Sequence, residues 1–275
     1  KALKKLTANA LLRLDKDTSS INELIKRFEL LNKSDLNATD KIYQLIEDCR
    51  NFGTLAFSHA ARAGFVAVTM LKSLVKTGYL SQDRMLEFQA SIPTVTSEFQ
   101  SALANHNIST DDLIKRFGHL RPGTYDINQL AYWEDPYFYF VRGKQQRLDK
   151  DNCEHDFVFT SEERYGLKEV LTQLSVELEV DDFIEYMTKS IQARESVKFN
   201  FTRNLSAALD LTIHYGMEAL GLTREDVGFP TFDDIRAIRT GQINERLLPE
   251  FVKLRKLDFA EQQQAKLPSF ISREE

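Results

Sequence analysis

Glycine and proline are scarce in this chain, at 11 and 6 of 275 residues, about half their usual share in soluble proteins. Hairpins and corners of a turn-rich β fold depend on both residues, so their scarcity argues for helices. The chain is 42% hydrophobic and 28% charged. That balance predicts neither a disordered, a collagen-like nor a membrane-spanning protein. One all-α domain over residues 1–275 is the simplest reading, because a chain of this length can bury a sizeable core.

Charge narrows the partners. The 36 basic and 41 acidic residues are intermixed and leave a net charge of −5, so no basic patch marks a nucleic-acid surface. Nucleic acid and membrane are not expected as partners. Two cysteines, Cys49 and Cys153, are too few for a disulfide framework and fit a reducing, cytoplasmic setting. The N-terminal Lys1-Ala2-Leu3-Lys4-Lys5 is basic, but the apolar residues after it keep helical spacing and form no signal-peptide core. No initiating Met is present, and the chain reads as a segment of a longer multidomain protein.

Helix boundaries are written in capping residues. Ser20 and Glu23 form a capping-box pattern ahead of Ile21, Leu24, Ile25, Phe28 and Leu31. Thr39 and Asp40 open a run to Lys76, which Gly78 stops. Ser81 caps a helix reaching about Asn105, with Pro93 as a kink or restart. Thr110 to Asp112 begin a short helix that Gly118 ends. An irregular stretch follows over 118–159, with a charged connector at 144–156 and an aromatic cluster at 132–140. Thr160 and Glu163 form a second capping box. A long run from about Asp181 to Leu220 ends at Gly221, and short helices are predicted at 223–226, 231–240 and after Pro249.

The two long helices carry polar anomalies. At 100° per residue, 181–220 buries one stripe through Ile184, Met187, Ile191, Thr202, Leu205, Leu209 and Ile213, with Glu195 and Lys198 in its middle. A charged pair in such a stripe needs partners. Either the two form an ion pair at a helix crossing, or they line a polar pocket with Arg194 and Arg203 at its rim. The run 40–76 is apolar nearly all round, with small residues Gly53, Ala56, Ala60, Ala63, Gly64 and Ala67 on one face and His59 and Arg62 on another. His59 is either a structural histidine or a functional one.

The densest cluster of chemistry is Arg116-Phe117-Gly118-His119-Leu120-Arg121-Pro122-Gly123-Thr124-Tyr125-Asp126. Glycines and a proline fix its path, and it can aim an acid–base His and an anion-binding Arg at one spot. A structural turn closed by an Arg121–Asp126 pair is the alternative. Asp181-Asp182-Phe183-Ile184-Glu185 has the spacing of an Asp-rich magnesium motif, but it stands alone and its aspartates sit where helix caps belong. Cys153-Glu154-His155 lacks partners at metal-ligand spacing. Phosphate-cradling G-x-x-x-x-G-K-[ST] and G-x-G-x-x-G loops and the G-x-S-x-G nucleophile elbow are missing from the sequence. No metal site and no cofactor are expected in this chain.

The segment from Phe117 to Asp126 resembles a motif in the helical middle region of phosphoenolpyruvate synthase-like proteins, a family that includes pyruvate phosphate dikinases and rifampin phosphotransferases. Two further stretches lie in the matching order: Glu47-Asp48-Cys49-Arg50-Asn51-Phe52-Gly53-Thr54 through Ala60-Ala61-Arg62-Ala63-Gly64-Phe65, and Arg194-Glu195-Ser196-Val197-Lys198-Phe199-Asn200-Phe201-Thr202-Arg203-Asn204-Leu205. After Asp126 the chain departs from the family pattern, with Ile127 to Trp133 in place of the more usual Ser-Pro-Arg/Tyr run.

The resemblance implies a three-part enzyme: an ATP-grasp domain using ATP and Mg, this helical middle, and a swivelling domain whose histidine carries phosphate. This chain holds neither the ATP-grasp portion nor a phosphohistidine motif, so its partners would be those domains of the parent chain and a small-molecule phosphate acceptor. The expected function is an acceptor-binding or scaffold domain of such a phosphotransferase, inactive alone; a purely structural connector is the alternative. His59, Arg62, Arg121, Tyr125, Glu195, Lys198 and Arg203 are the expected substrate-binding residues, and His119 and Asp126 the expected catalytic ones. All are expected to converge on one polar cavity, with Arg62, Arg121, Lys198 and Arg203 neutralising a phosphoryl group.

Overall fold

A computed structural model describes residues 2–142, 157–173, 176 and 178–265, with side chains from Lys16 onward. The described residues are all-α, without a strand. Helix α1 spans Ala2–Asn32, α2 Ala38–Asp48 and α3 Thr54–Thr77; the last two are joined by a π-turn at Cys49–Gly53. Then come α4 (Gln82–Ser91), α5 (Val95–Ala104), α6 (Thr110–Phe117), a π-turn at Tyr137–Val141 and α7 (Ser161–Gln173). Helix α8 runs Val180–His214 and continues into a π-turn at Tyr215–Ala219; α9 is Phe232–Arg239 and α10 is Leu248–Gln262.

Most boundaries follow the capping chemistry. Gly78 ends α3 at φ 81°, a left-handed position that favours glycine. The Ser81 hydroxyl accepts from the Arg84 N–H, and Thr160 and Glu163 make their reciprocal pair at 3.2 and 2.8 Å. Pro93 separates α4 from α5 rather than kinking one helix, and Thr94 caps the restart. Elsewhere the cap moves by a residue or two: Asn37 caps α2 and Ser109 caps α6. Ser20 is a correction of another kind. It lies inside α1, and its hydroxyl donates to the Phe52 carbonyl at 2.7 Å, so it ties two helices together instead of starting one. Asp181 and Asp182 fall in the first turn of α8, where Arg164 reaches Asp181 at 2.7 Å. The 144–156 connector, with Cys153-Glu154-His155, lies outside the described residues.

The two long helices form the centre. α3 and α8 run antiparallel, Gly53 opposite Phe201 and Gly64 opposite Arg194. A Cβ on Gly53 would lie 2.5 Å from the Phe201 ring, so the missing side chain sets how closely these helices approach. Ala56, Ala60, Ala63 and Ala67 extend that small-residue face and are buried. The continuous helix Ala38–Thr77 is long and apolar enough to cross a bilayer by length and composition, but here it is packed between α1 and α8. α4 and α7 cover the far end of α3 around Leu71, Phe88, Leu167 and Met187. α5, α6 and the second π-turn enclose Phe117 and Phe140, and Tyr132 and Tyr139 stack at 3.9 Å beside them.

The single stripe predicted for α8 is replaced by burial on several sides. Tyr186, Ser190, Val197, Thr202, Asn204, Ser206, Ala208 and Ile213 are all buried, while Lys198 is exposed and Glu195 half-buried. Helical periodicity assumes one neighbour, whereas α8 is packed by α1, α2, α3 and α5.

Candidate functional site

The segment after α6 folds back on itself and lies along α8. The Trp133 N–H donates to the Gly118 carbonyl at 3.0 Å and the Tyr132 N–H to the Leu120 carbonyl at 2.8 Å. Gly118 allows this approach, since a Cβ there would lie 3.0 Å from that of Trp133. The segment presents Arg121 at one level of α8, and His119 and Tyr125 at another.

Arg121 is buried and fully engaged. Its Nε donates to Ser206 Oγ at 3.1 Å, Nη1 to the Gln129 carbonyl at 2.8 Å, and Nη2 to Asp210. Trp133 Nε1 donates to the other Asp210 oxygen at 3.1 Å. Beside this pair Arg224 makes a bidentate contact with Glu134 at 2.6 and 3.0 Å, and Glu134 also accepts from the Ala131 N–H. Burial pushes the Asp210 carboxyl up against the opposing pull of Arg121. Burial also works to raise Glu134, but Arg224 and the Ala131 N–H outweigh it and hold that carboxyl below its ordinary value. The Arg121–Asp126 pair is therefore corrected: Arg121 binds Asp210, 89 residues away. Asp126 is exposed and accepts from the Asn128 N–H at 2.9 Å, which closes a local turn.

One level along α8 the polar groups are not all engaged. Six buried side-chain polar atoms lack a well-formed hydrogen bond among the described residues; two of them, the Tyr186 and Ser190 hydroxyls, stand one turn apart on α8 and face each other. The other four are Asp48 Oδ2, His119 Nε2, Arg203 Nε and Asn204 Nδ2. Such atoms are costly unless water or a ligand meets them. Asp48 is 1% exposed and its other oxygen accepts from Arg27 at 2.7 Å and Gln44 at 2.8 Å. Asn204, also 1% exposed, shares a hydrogen bond with the Cys49 thiol, which lies 3.9 Å from the Phe201 carbonyl. Burial, more than any neighbour, pushes that thiol up to about 12, so it is an inert group.

His119 packs edge-on against Phe199, ring centroids 4.6 Å apart, and hydrogen-bonds to the Phe199 backbone. Burial first, and the nearby Arg203 second, lower it to about 4, so the ring is neutral near pH 7 and Nε2 is a bare acceptor. The Arg203 guanidinium lies 4.7 Å over the Phe28 ring, and burial lowers its pKa despite Glu29. Tyr125 is 55% exposed at the rim; partial burial and then the neighbouring Cys49 raise its phenol.

The expected convergence is thus half realised. The fold gathers His119, Tyr125 and Arg203 around the first π-turn and the middle of α8, with Arg121 one level away. His59 instead binds Asp17 of α1 through Nδ1 at 3.0 Å. Arg62 and Lys198 are exposed, and Glu195 faces Thr96 at 3.4 Å and Arg194 at 4.0 Å rather than Lys198. Asp48, Asn204 and Asp210 were missed as site residues. Asp48 and Asn204 lie in the stretches that carry the resemblance, and polar residues in the otherwise buried middle of α8 were the signal. No group of three or more His, Cys, Asp or Glu among the described residues is arranged to hold a metal ion. No known family model matches the chain, and no curated protein matches it. What the fold and site define is an all-α protein with a buried polar junction at the centre of its bundle.

Proposed function

We propose that this chain is the helical acceptor-binding domain of an ATP-dependent, phosphohistidine-using phosphotransferase resembling phosphoenolpyruvate synthase, acting in the cytoplasm. ATP and Mg would belong to an ATP-grasp domain of the parent chain, and phosphate would arrive on its swivelling domain. The observation that carries this reading is the meeting of the three stretches behind the resemblance. Gly53 abuts Phe201, Cys49 bonds Asn204, and His119 packs on Phe199. Between them stand buried polar atoms without partners. In this reading Arg203 and neutral His119 face the acceptor, and Arg121 positions the segment that carries His119.

The second reading, a structural connector between those domains, is favoured by the Arg121 and Arg224 networks, where every charge has a partner. Expression of the full-length parent tests both. The acceptor reading expects ATP consumption accelerated by a small molecule and abolished by changes at His119 or Arg203. If such changes leave turnover intact while the protein stays folded, the connector reading stands.

A further inference from the structure

Three phenylalanine rings meet at the α4 end of the bundle. Between ring centroids, Phe88 of α4 lies 4.9 Å from Phe159 and 5.3 Å from Phe157, and the last two are 4.8 Å apart, edge to face. The 157–159 segment that carries two of them is anchored by Arg84. That guanidinium donates to the Val158 carbonyl at 2.7 Å, lies 4.1 Å over the Phe157 ring, and is held by Glu163 at 2.9 and 3.0 Å. Beside the rings a cleft of about 260 Å³ opens between α4 and α8, lined also by Ile92, Ile184 and the hydroxyl-bearing Ser91 and Thr188.

This lining narrows the ligand. It includes no charged side chain among the described residues, and Arg84 is already paired with Glu163 and Glu87, so an ion would lose water there without gaining a counter-charge. The Ser91 hydroxyl donates to the Phe88 carbonyl at 2.9 Å, and the Thr188 hydroxyl to the Ile184 carbonyl at 3.0 Å. Each hydroxyl has a single hydrogen, so only lone pairs remain to meet a ligand. The rings favour a ring, because aromatic contacts add to what buried area alone gives. An apolar cavity of about 150 Å³ holds one benzene, so about 260 Å³ has room for one or two fused rings.

We propose that this cleft binds a small neutral aromatic molecule carrying an N–H or O–H donor, its ring against Phe88, Phe157 and Phe159 and its donor on Thr188 or Ser91. None of these residues belongs to the junction around His119 and Arg203, so the claim is independent of the phosphotransferase reading.

Indole is the probe, with benzofuran as the isostere lacking the donor and indole-3-carboxylate as the charged analogue. Calorimetric titration of the full 275-residue chain should give saturable indole binding with a Kd on the order of 0.1 mM. Benzofuran should bind roughly fivefold more weakly, and indole-3-carboxylate about tenfold or more. Thr188→Val and Ser91→Ala alter half-buried hydroxyls whose bonds stay within their own helices. One of them should weaken indole about fivefold and leave benzofuran unchanged. Ile184→Phe, which fills the cleft, should abolish binding of both. Absence of saturable indole binding overturns the proposal, as does equal affinity for benzofuran or for the carboxylate, or indole binding that survives Ile184→Phe. Where that variant folds poorly, undiminished indole binding in both hydroxyl variants overturns it instead.

Discussion

Two neighbouring levels of α8 receive the same 118–134 segment and treat polarity in opposite ways. Around Arg121, Asp210, Glu134 and Arg224 every charged group has a partner, and the segment is clamped to the helix. Around Asp48, His119, Arg203 and Asn204 the groups are as deeply placed but half-used. A fold gains nothing from leaving donors and acceptors unmet in its interior. The closed level holds the segment in register, and the open level keeps polar atoms that the protein itself does not satisfy.

The sharpest way to break that comparison is Arg121→Met. It removes the arginine that faces the Asp210 carboxylate and should cost about 3–5 kcal/mol in chemical denaturation; a cost near that of a surface change would show that the clamp is idle. The second effect is titration of His119. Its ordinary pKa is 6.5 and its folded value about 4, so folding favours the neutral ring. That stabilisation is complete above 6.5, declines as pH falls toward 4, and amounts to about 3 kcal/mol once lost. His119→Phe should flatten this part of the stability–pH profile, and an unchanged slope would place the histidine in water.

A smaller effect is expected from Gly53→Ala, which pushes a methyl into the Phe201 ring and should cost about 1–3 kcal/mol through overpacking. The smallest effect belongs to Asn204→Leu. Removing a donor that meets only the weakly accepting Cys49 sulfur should change stability by about 1 kcal/mol or less, in contrast with Arg121→Met. A loss as large as the clamp's would make Asn204 structural and erase the distinction between the levels.

Much of the frame was legible in advance because helix ends are local. Gly78, Ser81, Thr160 and Gly118 act on residues three or four positions away, and their chemistry is visible in a short window. Ser20 was misread for the complementary reason: its partner, Phe52, is 32 residues distant. The candidate site divides along the same line. The 117–126 segment stood out by its glycines and proline, and its His119 does lie near Arg203. Glu195 with Lys198, and His59 with Arg62, were selected by a wheel that assumes one buried face, and α8 has several.

What the sequence determined alone is the all-α class, the two long central helices and the place where the chain turns irregular. Those follow from scarce chain-breakers, apolar periodicity and caps, which act over a few residues. Which polar groups would be satisfied and which left open was decided by tertiary structure. Arg121 finds Asp210 across 89 positions, and Cys49 meets Asn204 across 155. Whether a buried donor has a partner depends on the summed geometry of α1, α2, α8 and the 118–134 segment, a quantity no single helix encodes.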